Sequence, residues 1–213
     1  MTFKYKAIIF DLDGVICNTD RYHFMAWKVI ADELGIYFDE SINERLKGVG
    51  RMESLEIILE NSDKSFSKEE KIFYSEKKNG IYKNLLEKMT PLDVNEEVKD
   101  TLEEIKNSGI KTALGSSSKN AKLILEKIGY QDYFNVVCDG NSITSSKPNP
   151  EVYLKTADAL GISPELCVVV EDAKAGILAA HAANMDCAAV GDGAKYHLAE
   201  YNLGKFSELL NII

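Results

Sequence analysis

Five short apolar runs, separated by segments of helical period, set the tightest limit on how this chain can fold. AIIF from Ala7, KTALG from Lys111, NVVC from Asn135, CVVV from Cys167 and CAAV from Cys187 are too short for helices and rich in β-branched or small residues. A strand open to water on one side alternates polar and apolar residues, whereas one covered on both sides does not. The intervening stretches carry the other period. NEEVKDTLEEIKNSG places Val98, Leu102 and Ile105 on one face and stops at Gly109, and NAKLILEKIG stops at Gly129. NPEVYLKTADALG opens at Pro150 and closes at Gly161, and DAKAGILAAHAAN is small and apolar enough to lie close on a sheet. Strand and helix in alternation predict an α/β fold: a doubly wound, Rossmann-like parallel sheet with right-handed crossovers.

The rhythm breaks from about Asn18 to Thr90, where no strand is legible. TDRYHFMAWKVIADELG, MESLEIILEN and SKEEKIFYSEKKNGIYKNLLEKM all have helical spacing, and the last opens with Ser67 and Glu70 at capping-box separation. The expected organisation is an α/β core of residues 1–15 and 92–213, interrupted by a small all-helical insertion of residues 16–91. Its two connections, near Val15 to Asn18 and Thr90 to Asp93, would be the hinges. A chain of 213 residues has room for one sizeable domain and this companion.

Composition narrows the function classes. The formal charge of -9 opposes binding of a nucleic-acid backbone by the whole surface. It also means that an anionic ligand would need basic residues gathered locally. Cys17, Cys138, Cys167 and Cys187 are scattered without a CxxC pair, as expected of buried, reduced thiols in a cytoplasmic protein. MTFKYK runs directly into the first strand without a signal-peptide pattern, and no apolar stretch has the length of a membrane span.

In a doubly wound sheet, ligands gather at the carboxyl ends of the strands. The first strand ends in Asp11 and Asp13, with Gly14 behind them, and the second in Ser116, Ser117 and Ser118. The loop after the third carries Lys147 in SSKPNP, and the fourth ends in Glu171 and Asp172. Each alone has an ordinary explanation: DLDG as a turn, GSSSKN as a helix cap, the lysine as a solvated charge, the acidic pair as helix-start residues. All four at successive strand ends exceed what capping requires. Four carboxylates this close repel unless a cation lies among them, and a hard divalent ion such as Mg²⁺ suits oxygen ligands. An ion of that kind, a lysine and hydroxyl donors around one carboxylate make a phosphoryl-transfer site.

FDLDGV, GSSS, SKP and VVVEDA together resemble the four motifs of the haloacid dehalogenase superfamily of phosphotransferases, and the helical insertion is similar to that superfamily's small cap. The resemblance implies that Asp11 is a nucleophile carrying the phosphoryl group as an aspartyl phosphate, and that Asp13 is the general acid and base. It implies that Ser116, with Ser117, and Lys147 hold the transferring group. Asp11, the main-chain carbonyl of Asp13, Asp172 and Glu171 would hold Mg²⁺.

Within the cap, TDRYHFMAW, LKGVGR and EKKN around Lys78, with SSSKN in the core, resemble the β-phosphoglucomutase family. That resemblance implies a substrate loop of Lys47, Gly48, Val49, Gly50 and Arg51, with Ser54 among the sugar contacts. His23 would keep Asp13 and a hexose in register, with Trp27 and Lys78 nearby. Arg51, Ser118, Lys119 and Asn120 would grip the phosphate that is not being transferred. A bisphosphorylated hexose needs two anion sites, and an arginine fork and a helix N-terminus both suit phosphate. Trp27 and Phe24 also read as cap interior. Gly50 stands where the resemblance leads one to expect serine, which removes a side-chain hydrogen bond. The expected activity is interconversion of β-D-glucose 1-phosphate and glucose 6-phosphate through the bisphosphate, by a monomer. A sugar-phosphate phosphatase is the alternative, and a non-catalytic phosphosugar-binding protein a second one, although a binder has no use for a nucleophile.

Overall fold

A computed structural model describes residues 4–213. Residues 1–3, part of the expected core segment and of the start read as lacking a signal pattern, lie outside the described residues. Six parallel strands form one sheet in the order β3-β2-β1-β4-β5-β6: β1 Ala7–Phe10, β2 Lys111–Gly115, β3 Val136–Cys138, β4 Cys167–Glu171, β5 Asp186–Ala189 and β6 Tyr201–Asn202. All four side chains of β1 are fully buried, as an unbroken apolar run at the centre of a sheet requires. Its faces still differ. Ile8 and Phe10 pack into one apolar layer, and Ala7 and Ile9 into the layer on the other side. Phe10 is in register with Leu114 of β2 and with Val170 of β4. The order reverses at β1, so the switch point of the sheet lies where Asp11 follows the strand.

The five expected strands are present, and β6 is an addition. It has only two residues, too few to show a period. In the core, helices α5 Glu96–Ser108, α6 Ala121–Ile128, α7 Glu151–Leu160 and α8 Lys174–Ala182 follow the expected segments. A short helical turn, α9 Gly191–Ala194, follows β5.

Between β1 and β2 the chain is helical. α1 Asp20–Leu34, α3 Arg51–Leu59 and α4 Lys68–Leu86 match the expected stretches, and α2 Glu40–Glu44 is a further short helix capped by Asp39. The capping box of α4 is formed: Ser67 Oγ accepts from Glu70 N at 3.2 Å, and Glu70 Oε2 accepts from Ser67 N at 2.8 Å. These helices enclose an apolar cluster of their own, with Trp27, Ile30, Leu55 and Ile58, and Phe24 packed against it. Tyr82 and Leu86 of α4 join instead the layer beneath β1. All four cysteines are free and buried. Among the described residues no helix is long and apolar enough to cross a membrane.

Candidate active site

Asp11 continues β1, and its N–H donates to Val170 O at 3.0 Å, so the sheet ladder holds its backbone in place. Its carboxylate is buried beside that of Glu171, and Lys147 bridges them: Lys147 Nζ lies 2.5 Å from Asp11 Oδ1 and 2.6 Å from Glu171 Oε1. Glu171 is saturated. Tyr153 OH donates to Oε1 at 2.6 Å, and Oε2 accepts from the N–H groups of Asp172 and Ala173 at 3.0 and 3.1 Å. Asp172 differs, since its buried carboxylate makes no hydrogen bond among the described residues. Oxygens of Asp11, Glu171 and Asp172 lie within 4.8 Å of one another.

Three buried carboxylates against one ammonium leave an excess of negative charge. Burial, then Glu171 and Asp13, push Asp11 up to about 7 against the pull of Lys147. Burial and the charges of Glu171 and Asp11 raise Asp172 well above the usual carboxylate range. Burial would depress Lys147, but Asp11 and Glu171 outweigh it, so the lysine remains an ammonium. The charge excess, the hard oxygen donors and the unpartnered Asp172 together fit a divalent cation. Gly14 makes the arrangement possible. Its φ is +83°, and a Cβ there would overlap the Asp172 carboxylate.

Asp13 lies on the tight turn that follows, where Gly14 N donates to Cys17 O at 2.8 Å and Ile16 N to Leu12 O at 3.0 Å. Its partner is Thr19, whose hydroxyl donates to Asp13 Oδ1. Thr19 occupies the N-cap position of α1 but makes no side-chain cap, because its hydroxyl is spent on Asp13. Burial, opposed by that hydrogen bond, lifts Asp13 to about 6, in the range where a carboxyl group exchanges protons near neutrality.

After β2, Ser116 is buried, and its Oγ accepts from Ser118 N at 3.1 Å. Ser118 Oγ in turn accepts from Asn120 N at 3.3 Å. Asn120 stands at the N-cap of α6 yet makes no side-chain cap there. Its amide reaches across to the helical insertion and donates to Asn79 Oδ1 at 3.0 Å. Among the described residues Ser117 Oγ is buried without a partner, and the Tyr82 hydroxyl, beside Thr19, makes no hydrogen bond of good geometry.

The helical wall adds three further cations, Lys78, Arg51 and Lys47. Lys78 Nζ is 2.9 Å from His23 Nδ1 and lies over the rings of Trp27 and Tyr82, at 4.8 and 4.7 Å from their centroids. Burial and the Lys78 charge depress His23 well below its ordinary value, so the ring is neutral and Nδ1 accepts from the ammonium. Arg51, the first residue of α3, pairs with Glu76 of α4 at 2.7 Å. The Lys47 ammonium is engaged by Glu44 at 2.9 Å, Asp20 at 3.1 Å and Asp192 of α9 at 3.2 Å, the last across to the core. Gly50 has an ordinary φ of -71°, so its lack of a side chain serves space and not conformation. A Cβ there would overlap side-chain oxygens of Glu53 and of Ser146 in the core loop before Lys147.

These walls enclose one cavity of about 340 Å³ between sheet and helices. Every expected site residue lines it except Glu171, which sits behind Lys147. From the core come Asp11, Asp13, Ser116, Ser117, Ser118, Lys119, Asn120, Lys147 and Asp172; from the helical insertion come His23, Trp27, Lys47, Gly48, Val49, Gly50, Arg51, Ser54 and Lys78. Sequence reasoning missed Thr19, Glu76, Asn79, Tyr82, Ser146 and Tyr153. Only Thr19 had a signal, as a capping-type residue just before a helix and close after the aspartate pair.

The sequence pattern of the haloacid dehalogenase-like hydrolases matches residues 8–190. The β-phosphoglucomutase of Bacillus subtilis (strain 168) is 43% identical over 190 residues, covering 88% of this chain and 84% of that protein. A phosphorylated-carbohydrates phosphatase of Thermotoga maritima is 32% identical over 218 residues, covering 98% of each. Among solved structures, a crystal structure of the β-phosphoglucomutase of Clostridium difficile superposes with a TM-score of 0.90 at 40% identity. It covers 96% of this chain and 93% of that one.

Proposed function

The chain belongs to the haloacid dehalogenase-like hydrolase family, and on that premise we propose that it is a β-phosphoglucomutase interconverting β-D-glucose 1-phosphate and glucose 6-phosphate. The observation that carries this reading is the two-walled cavity. Its core wall bears Asp11, Ser116 and Lys147, and its helical wall bears Arg51. One anion site at each wall suits a hexose with a phosphate at each end, a need that a small monoester does not create.

The Asp11 carboxylate attacks a phosphate of β-glucose 1,6-bisphosphate, forming a P–O bond to the enzyme as the P–O bond to the sugar breaks. Asp13 gives its proton to the departing sugar oxygen. Loss of the C1 phosphoryl group in this way releases glucose 6-phosphate, and β-glucose 1-phosphate takes its place. Its 6-hydroxyl loses a proton to Asp13 and attacks the aspartyl phosphate, which restores Asp11 and forms the bisphosphate, and the bisphosphate reorients before the next attack. Lys147 and Ser116 hold the group in flight, while Arg51, Ser118, Lys119 and Asn120 hold the other phosphate. Thr19 keeps the Asp13 carboxylate turned to its task. Asp11, the carbonyl of Asp13 and Asp172 would hold Mg²⁺, with Glu171 fixing Lys147 behind them. The ion, when bound, neutralises charge on the phosphoryl oxygens.

A product assay tests the reading: β-glucose 1-phosphate, Mg²⁺ and a trace of bisphosphate. Glucose 6-phosphate is the expected product. Stoichiometric free phosphate would replace the reading with the sugar-phosphate phosphatase, an activity carried by the Thermotoga relative.

A further inference from the structure

Arg51 is the only guanidinium lining the cavity among the described residues, and it is already occupied. Its Nη1 lies 2.7 Å from Glu76 Oε1, across the gap between α3 and α4. The pair is lopsided. The arginine side chain is 17% exposed and the glutamate 66%, so packing fixes the cation while the anion is free to swing into water. A half-buried guanidinium gains from an anion at all times, because only a counter-charge offsets its lost hydration. Here the demand is sharper, since Arg51 and the buried Lys78 act on each other as like charges. A carboxylate and a phosphate present oxygens to the same fork.

We propose that Glu76 is a placeholder for the second phosphate: its carboxylate holds Arg51 in the cavity wall and yields the fork to an incoming hexose phosphate. This rests on the reading of Arg51 as the grip on the phosphate that is not transferred. Glu76 is then a positioning residue that sets the threshold of the site. A dianionic ester outcompetes a single carboxylate for the guanidinium. A neutral sugar offers nothing that would displace it, so Arg51 stays closed to it. The arrangement trades affinity for selectivity, because every productive binding event must first break an ion pair.

The test is steady-state kinetics with β-glucose 1-phosphate on the wild type, Glu76→Gln, Glu53→Gln and Arg51→Ala. Glu76→Gln should lower KM by about two- to fivefold, the worth of one partly exposed ion pair, with kcat unchanged. Glu53 is a control carboxylate on the same rim, with no ion pair among the described residues. Glu53→Gln removes the same charge without releasing Arg51, and its KM should stay at the wild-type value. A KM for Glu76→Gln equal to or above wild type overturns the placeholder. An equal fall in Glu53→Gln also overturns it, since the effect would then belong to the general field of the cavity. Arg51→Ala separates the underlying reading. If its KM is raised while Glu76→Gln shows no fall, only the placeholder fails; if its KM is unchanged, the second phosphate is held elsewhere and both fail.

Discussion

Lys78 donates to a neutral His23 at 2.9 Å, inside a box made by Trp27 and Tyr82. Two aromatic faces and an imidazole lone pair stabilise an ammonium, but less well than water does, and burial wins. Lys78 is pushed down to about 7 from 10.5, by burial first and the Arg51 charge second, against the pull of Asp13. The fold therefore bears a cost at this position that the cavity uses.

That cost has a pH signature. Below pH 7 Lys78 is charged in both folded and unfolded chains, and the penalty is fully present. Between about pH 7 and 10.5 the unfolded chain binds the extra proton, so stability rises with pH. Lys78→Met should be more stable than wild type at pH 6, and the difference should shrink steadily by pH 9. Urea melts of both proteins at the two pH values measure it. A difference that does not vary with pH would mean that Lys78 titrates normally.

Glu171 and Asp172 are neighbours in sequence with opposite duties. Glu171 is held by Lys147, Tyr153 and two N–H groups, whereas the Asp172 carboxylate has no partner among the described residues. Asp172→Ala should weaken Mg²⁺ affinity strongly at little cost to the fold. Glu171→Ala leaves Lys147 with one partner fewer and should cost about 3–5 kcal/mol of stability, typical of a broken buried pair. Metal titration and denaturant melts separate the two. Activity should vanish on chelation and return with Mg²⁺.

Thr19 holds Asp13 with its only hydroxyl proton. Thr19→Val keeps the shape and removes that hydrogen bond. The transfer rate to sugar should fall, while KM for β-glucose 1-phosphate changes little, because the loss is felt in the proton transfer. A raised KM with normal kcat would assign Thr19 to binding.

Among the described residues the buried Tyr82 hydroxyl on the cavity wall has no hydrogen bond of good geometry, and the Thr19 hydroxyl beside it donates to Asp13 instead. An unsatisfied buried hydroxyl costs about 1–3 kcal/mol. Tyr82→Phe should therefore melt at the same or higher denaturant concentration than wild type. If the hydroxyl meets the sugar, kcat/KM should fall in the same variant. A stable variant with full activity would make the hydroxyl idle.

Much of the core site was legible because it follows from position along a strand. AIIF can only be a covered strand, and in a parallel sheet the residue after it emerges at the ligand-binding edge, so Asp11, Ser116, Lys147 and Glu171 could be assembled from local pattern alone. The strandless segment from 18 to 90 equally announced helices, from spacing and from the Ser67 capping signal. What the pattern could not reveal are partners chosen by packing. The pairing of Thr19 with Asp13, of Glu76 with Arg51, of Asn79 with Asn120 and of Lys47 with Asp192 depends on how α1, α3 and α4 lie against one another and the sheet. A helical period tells which face is buried but not which residue of a distant element that face will meet, nor which adjacent acid will be saturated and which left free. β6 stayed hidden for a related reason: two residues have no period, and only the open edge of β5 makes them a strand.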